Sequence, residues 1–147
     1  MNVLRLIKLD HHPDLAALRE ELIEHHRRII QAHWDKDVDY LVHDLAPDFF
    51  AISNAEITHP TKEEQRKNLT DYLTHTKFTE YRDLVEPMIG FSDDASLAWM
   101  NQKVKVSGTK ENSDGSSSAL DFVCVWLTLY RRKKDRWIRL GEVSTWK

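Results

Sequence analysis

The stretch Ala119-Leu120-Asp121-Phe122-Val123-Cys124-Val125-Trp126-Leu127-Thr128-Leu129-Tyr130 reads as one long β-strand that is apolar on both faces. Successive strand side chains point to opposite sides. Phe122, Cys124, Trp126, Thr128 and Tyr130 therefore share one face, and Val123, Val125, Leu127 and Leu129 share the other. Both faces need a cover. In a chain of 147 residues the helices can shield only one of them, so the second cover is expected to be another subunit.

The rest of the chain frames this strand. At 147 residues and 41% apolar, it has material for one sizeable core, and a single domain over 1–147 is expected, with residues 1–12 as an N-terminal extension. A net charge of -3 gives no pull toward polyanions, so nucleic acid is not an expected partner. The basic cluster Arg131-Arg132-Lys133-Lys134 lies between two strand-like runs and reads as a solvated hairpin tip. No run reaches membrane-spanning length, and Arg5 and Lys8 break the apolar patch at the N-terminus. A cytoplasmic protein is the default expectation, with a cleaved leader as the alternative.

Leu15, Leu18, Leu22, Ile29 and Ile30 recur at helical steps between Pro13 and Asp35, which predicts a long amphipathic helix. A short helix over 38–45, a strand over 48–53 and a short returning strand within 54–59 follow. Thr61-Lys62-Glu63-Glu64 matches a capping box and predicts a helix from Lys62 to Thr74. Beyond it the period changes to two over 78–91, 97–107, 119–130 and 137–146. Turns are expected at Asp93-Asp94, over a long loop at 108–118, and at 131–136. Helices first and a curled, mainly antiparallel sheet second make an α+β domain with the helices packed on one face.

Three stretches in this order carry a family resemblance: Ala32-His33-Trp34-Asp35-Lys36-Asp37, Leu45-Ala46-Pro47-Asp48-Phe49-Phe50, and 137–145. Together they resemble the nuclear transport factor 2-like superfamily, the cone-shaped cystatin-like fold that includes ketosteroid isomerases, SnoaL-like polyketide cyclases and kinase association domains. The resemblance implies helices on the concave face of a strongly curved sheet, a pocket between them, and a dimer through the outer face. It also places the isomerase tyrosine at Ile29, the general base at Ser53 and the protonated aspartic acid near Cys124. None of these three can take over the corresponding role, which argues against steroid isomerisation.

With Cys124 facing inward, the implied cavity is lined by Phe122, Cys124 and Trp126, with Leu140, Glu142, Ser144 and Trp146 from the last strand. Trp99 and Asn101 join from the neighbouring strand, Ser53 from the first strand and Trp34 from the end of helix one. Val123, Val125, Leu127 and Leu129 are left to the homodimer surface. Glu142 is the leading acid/base candidate, because a carboxylate against Trp126 and Phe122 is partly desolvated. His59 is the second candidate, with a surface position as its alternative; His33 is expected at the surface.

Eight histidines raise the question of a metal, but none shows the i, i+4 pairing with a nearby carboxylate of a zinc motif. No metal and no cofactor are expected, and Cys124 reads as a buried core residue. The expected function is the binding of a small, partly apolar organic ligand. A lyase, isomerase or hydrolase using Glu142 or His59 is the alternative, and a homo-oligomeric assembly module is the third reading.

Overall fold

A computed structural model of the chain describes residues 13–147; the proposed extension at 1–12 and the pair His11-His12 lie outside the described residues. Helix α1 spans Leu15–Asp35. Asp14 caps it from just outside by accepting from the Ala17 amide, and Lys36 closes it in the left-handed conformation at φ 57. Helix α2 (Val38–Val42) and strand β1 (Leu45–Ser53) follow. Strand β2 (Glu56–Thr58) returns through Asn54-Ala55, both at positive φ. Helix α3 spans Lys62–Thr74 and begins with the predicted capping box, in which Thr61 and Glu64 each satisfy the other's amide.

The second half is strand only: β3 (Thr76–Asp83), β4 (Met88–Phe91), β5 (Leu97–Glu111), β6 (Ser117–Lys133) and β7 (Arg136–Trp146). They form a seven-stranded sheet in the order β2-β1-β7-β6-β5-β3, with β4 also paired to β5. All pairings are antiparallel except β1 with β7. The architecture is α+β, with helices over the inner face of a mainly antiparallel sheet.

Several boundaries differ from the sequence reading: the helix expected over 38–45 ends at Val42, the strand expected from 48 begins at Leu45, and the turn expected over 131–136 leaves only Lys134 and Asp135 outside the strands. The run expected as one strand over 78–91 is two, because Leu84 to Pro87 leaves the sheet and Pro87 has no amide to give a ladder. The long loop expected over 108–118 is strand at both ends, and only Asn112 to Ser116 turn, with Asp114 accepting from the Ser116 amide. The parallel register of β1 beside β7 has no local signature.

β5 and β6 pair without interruption from Leu97↔Arg131 to Glu111↔Ser117, so their faces follow strict alternation. On the inner face Ala98, Met100, Gln102, Val104 and Val106 oppose Tyr130, Thr128, Trp126, Cys124 and Phe122. Two other strands break alternation. In β7 the register slips between Leu129↔Gly141 and Tyr130↔Arg139, leaving Leu140 as a bulge. In β3 it slips between Phe78↔Gly108 and Glu80↔Ser107, leaving Thr79 as a bulge. Each bulge brings onto the inner face two residues three apart: Arg139 with Glu142, and Phe78 with Tyr81.

The inner face packs in three patches. Leu73, Phe78, Tyr81, Val104, Val106 and Cys124 belong to one; Leu22, Met100, Tyr130 and Trp137 to a second; Val42, Leu45 and Phe49 to a third. Outside, two aromatic rings cover glycines on neighbouring strands. Trp99 lies over its register partner Gly90, and Phe50 over its partner Gly141, so closely that a Cβ on either glycine would overlap the ring. Val123, Val125, Leu127 and Leu129 remain partly or fully exposed on this outer face.

Candidate functional site

The three core patches do not close against one another. Between them lies a cavity of about 200 Å³, roofed by α1 and α3 and floored by the inner face of the sheet. The α1 wall is built by helical periodicity, with His26, Ile29, Ile30 and His33 on one side of the helix. From the sheet come Gln102 and Val104 of β5, Trp126, Thr128 and Tyr130 of β6, and Arg139 and Glu142 of β7. Tyr81 enters from β3 by way of the Thr79 bulge.

One end of the cavity is charged and tightly bonded. Arg139 reaches Asp44 through Nη2 to Oδ1 at 2.6 Å and Nε to Oδ2 at 3.3 Å, and donates from Nη2 to the Leu41 carbonyl at 2.9 Å. Its remaining terminal nitrogen, Nη1, donates to Glu142 Oε1 at 2.7 Å. His25 Nε2 lies 2.8 Å from Asp44 Oδ2, and His25 Nδ1 3.0 Å from the Tyr40 hydroxyl. Burial opposes charge on Asp44, but the Arg139 guanidinium and the His25 hydrogen bond outweigh it and hold the carboxyl far below the usual range. Burial likewise opposes charge on Arg139, and Asp44 and Glu142 keep it firmly protonated.

The opposite wall is neutral. His33 Nδ1 donates to the Ile29 carbonyl at 2.8 Å, which leaves Nε2 as an acceptor 3.5 Å from the Tyr81 hydroxyl. The two rings stack at 4.6 Å. Burial lowers the His33 pKa to about 4, against the pull of its backbone hydrogen bond, and Arg139 adds to the depression. His33 is therefore a neutral imidazole near pH 7. Burial also pushes the Tyr81 hydroxyl well above its ordinary range. His26, at the cavity's edge, gives Nε2 to Asp83 at 2.8 Å.

A second, largely apolar cavity of about 360 Å³ shares His33, Tyr81 and Trp126 with the first and adds Tyr72, Phe122, Cys124 and Trp146. The Cys124 thiol, which burial and then Glu142 push up to about 12, is inert as a nucleophile near neutrality.

The residues anticipated from sequence divide accordingly. Glu142 and Trp126 face the first cavity, while Phe122, Cys124 and Trp126 face the second. Ser144 is opposite Trp126 on the inner face but lines neither cavity. Trp99 and Asn101 face outward, since Ala98, Met100 and Gln102 take the inward positions of β5. Leu140 is displaced by the bulge, and Arg139 stands on the cavity in its stead. Trp34 is 41% exposed and edges against Phe78 without lining either cavity. Ser53 has a buried hydroxyl with no partner and lines neither cavity. His59 is exposed beside β2 and α3 and lines neither cavity, whereas His33 is in the wall rather than at the surface.

Asp44, Arg139, Tyr81 and the inward-facing Gln102 were not anticipated. Gly141 beside Leu140 is the one local sign of the β7 bulge, and the seven-residue spacing of His26 and His33 already put both on one helix face. Among the described residues no three His, Cys, Asp or Glu side chains converge as metal ligands. No helix of the described residues is long and apolar enough to cross a membrane.

No protein-family model matches the chain, and no curated protein sequence does. Solved structures do match. An NTF2-like protein from Cytophaga hutchinsonii superposes with a TM-score of 0.68 at 15% identity, covering 86% of this chain and 96% of that one. A candidate dehydratase of the NTF2-like family from Streptomyces avermitilis gives 0.69 at 10%, covering 88% and 96%. A candidate ketosteroid isomerase from Shewanella frigidimarina gives 0.61 at 12%, covering 83% and 92%. The fold is that of the NTF2-like proteins.

Proposed function

From the NTF2-like fold of this chain, we propose that it is a small-molecule-binding domain whose ligand occupies the cavity between α1, α3 and the sheet. One observation carries this reading: a partly enclosed space of about 200 Å³ with apolar walls at Ile29, Leu69, Val104 and Trp126 and polar groups at Gln102, Thr128, Arg139 and Glu142. Mainly apolar walls with a few fixed polar groups are the usual design of a ligand site. A cavity serving only as core would be filled at about the density of the rest of the interior.

The test is native mass spectrometry of the purified protein, followed by thermal shift against a broad metabolite panel, with Leu69→Trp as a blocked control. Binding stabilises the folded state by an amount set by ligand concentration over Kd, and filling the cavity removes that gain. No co-purifying species and no shift across the panel would sink the proposal.

A specific observation also favours a second reading, an acid/base enzyme of the lyase, isomerase or hydrolase type. Glu142 and the neutral His33 line the same cavity, a carboxylate and an imidazole able to exchange protons with one bound molecule. His59 does not line that cavity. Turnover by the unaltered protein that is lost in both Glu142→Gln and His33→Gln would favour it.

We propose in addition that two copies pair through Val123, Val125, Leu127 and Leu129. Val125 is 40% exposed, beside Trp99 at 42% on the same outer face. Exposed apolar side chains gathered on one sheet face suit a contact between copies.

A further inference from the structure

The charged end of the cavity is out of balance. Two carboxylates, Asp44 and Glu142, share the one guanidinium of Arg139. Asp44 takes most of that charge, with two nitrogen–oxygen contacts to a side chain only 1% exposed, and Glu142 holds a single contact through Oε1. Among the described residues no protein group hydrogen-bonds Glu142 Oε2. His25 has both ring nitrogens engaged, Nε2 with Asp44 and Nδ1 with the Tyr40 hydroxyl, and it does not line the cavity. His26 is matched to Asp83, and no lysine lines the cavity. Two carboxylates thus face one guanidinium at this end, and Glu142, its side chain 26% exposed, leaves Oε2 open to the cavity beside its contact with Arg139.

Around Glu142 stand aromatic rings. It lies directly across from Thr128 on β6, which makes Trp126 and Tyr130 its diagonal neighbours on the same face, and Tyr81 lines the same cavity. Ring faces carry partial negative charge and attract cations once water is excluded. A carboxylate among three aromatic rings is the arrangement that receives an ammonium group.

We infer that the cavity takes an organic cation, a small amine whose ammonium group meets Glu142 Oε2 among Trp126, Tyr81 and Tyr130 while its apolar body lies against Ile29 and Leu69. This inference rests on the ligand-binding reading and narrows it to a chemical class. An anionic ligand of the same shape is repelled by Glu142 and finds Arg139 already engaged by Asp44.

The experiment compares three probes of one size and different charge, cyclohexylamine, cyclohexanol and cyclohexanecarboxylate, by isothermal titration at pH 7 on the unaltered protein. The expected result is cyclohexylamine binding at least tenfold more tightly than cyclohexanol, with cyclohexanecarboxylate undetected. Glu142→Gln is expected to reduce the amine to the affinity of the alcohol, and Leu69→Trp to remove the binding of all probes. Cyclohexanol or the carboxylate binding as tightly as the amine overturns the cation inference and leaves the ligand-binding reading standing. Amine binding that survives Leu69→Trp overturns it as well, because the amine then sits elsewhere. Binding of none of the three overturns the inference, and the metabolite panel separately decides the broader reading. The comparison on the unaltered protein holds even if Glu142→Gln does not fold.

Discussion

Arg139 grips Asp44 twice over: its side chain reaches both carboxylate oxygens, and its amide donates to the Asp44 carbonyl at 2.7 Å. The contact lies where β1 begins its parallel pairing with β7, at Leu45↔Arg139. One pair of residues thus ties the α2 end to the last strand and fixes the charged end of the cavity. Removing one partner of a buried pair strands the other.

Arg139→Met is accordingly expected to destabilise the fold by about 3–5 kcal/mol. Asp44→Asn combined with Arg139→Met should cost clearly less than the two separate losses added. Urea unfolding of the four proteins in a double-mutant cycle checks this. Strict additivity would mean that the pair is not coupled.

His33 makes stability fall with acid. Its folded pKa, about 4, lies below the ordinary 6.5, so the unfolded chain binds a proton that the folded one refuses. The stability tied to its neutral form is fully present above pH 6.5 and is lost as pH falls toward 4, up to about 3 kcal/mol. Asp44, with its depressed pKa, adds a further loss below its unfolded value of 3.8. Urea unfolding at several pH values should show a slope between pH 6.5 and 4 in the parent protein and a flatter one in His33→Gln.

Phe50 and Gly141 fit each other across β1 and β7. A Cβ at position 141 would lie 2.3 Å from the Phe50 ring, so Gly141→Ala must push the ring aside, at about 1–3 kcal/mol. Phe50→Leu in the same chain should recover part of that loss. A thermal melt of the two single variants and the double variant reads the coupling directly, and a Gly141→Ala protein as stable as the parent would contradict it.

Leu127→Glu tests the pairing of copies. Leu127 stands on the outer face opposite Asn101 and Val143, outside both cavities. Sedimentation at micromolar concentration should give a dimer for the parent and a monomer for the variant. A parent that sediments as a monomer disposes of the proposal.

Ala55 turns the β1–β2 hairpin at φ 63, a conformation that costs a residue with a Cβ. Ala55→Gly should raise stability by up to about 1 kcal/mol, net of the freedom glycine gains when unfolded. Chemical denaturation measures it.

Much of this architecture was legible in the chain. The capping box at Thr61 and Glu64 starts α3 where the pattern predicts, and the alternation of β6 sorts Phe122, Cys124 and Trp126 from Val123, Val125 and Leu127 as expected. These features are local: a cap spans three residues, and alternation is set by the strand's own geometry. Arg139 and Tyr81 were hidden for the opposite reason. Counting by twos from Glu142 reaches Leu140, and counting by twos from Phe78 reaches Glu80; only the register against β6 and β5 reveals the extra residue. Trp99 misleads differently. Its size suggests a pocket wall, but its partner is a glycine, and the indole fills on the outer face the space which that glycine leaves. Asp44 precedes the first strand, and its role exists only once Arg139 arrives from 95 positions further along.

The Leu140 bulge leaves the inner face of β7 indifferent to one residue of chain length. Leu140 lines no cavity, and deleting it would set Arg139 directly before Gly141, so that plain alternation would keep both Arg139 and Glu142 on the inner face, opposite Tyr130 and Thr128. A one-codon deletion there would thus spare the charged end of the site.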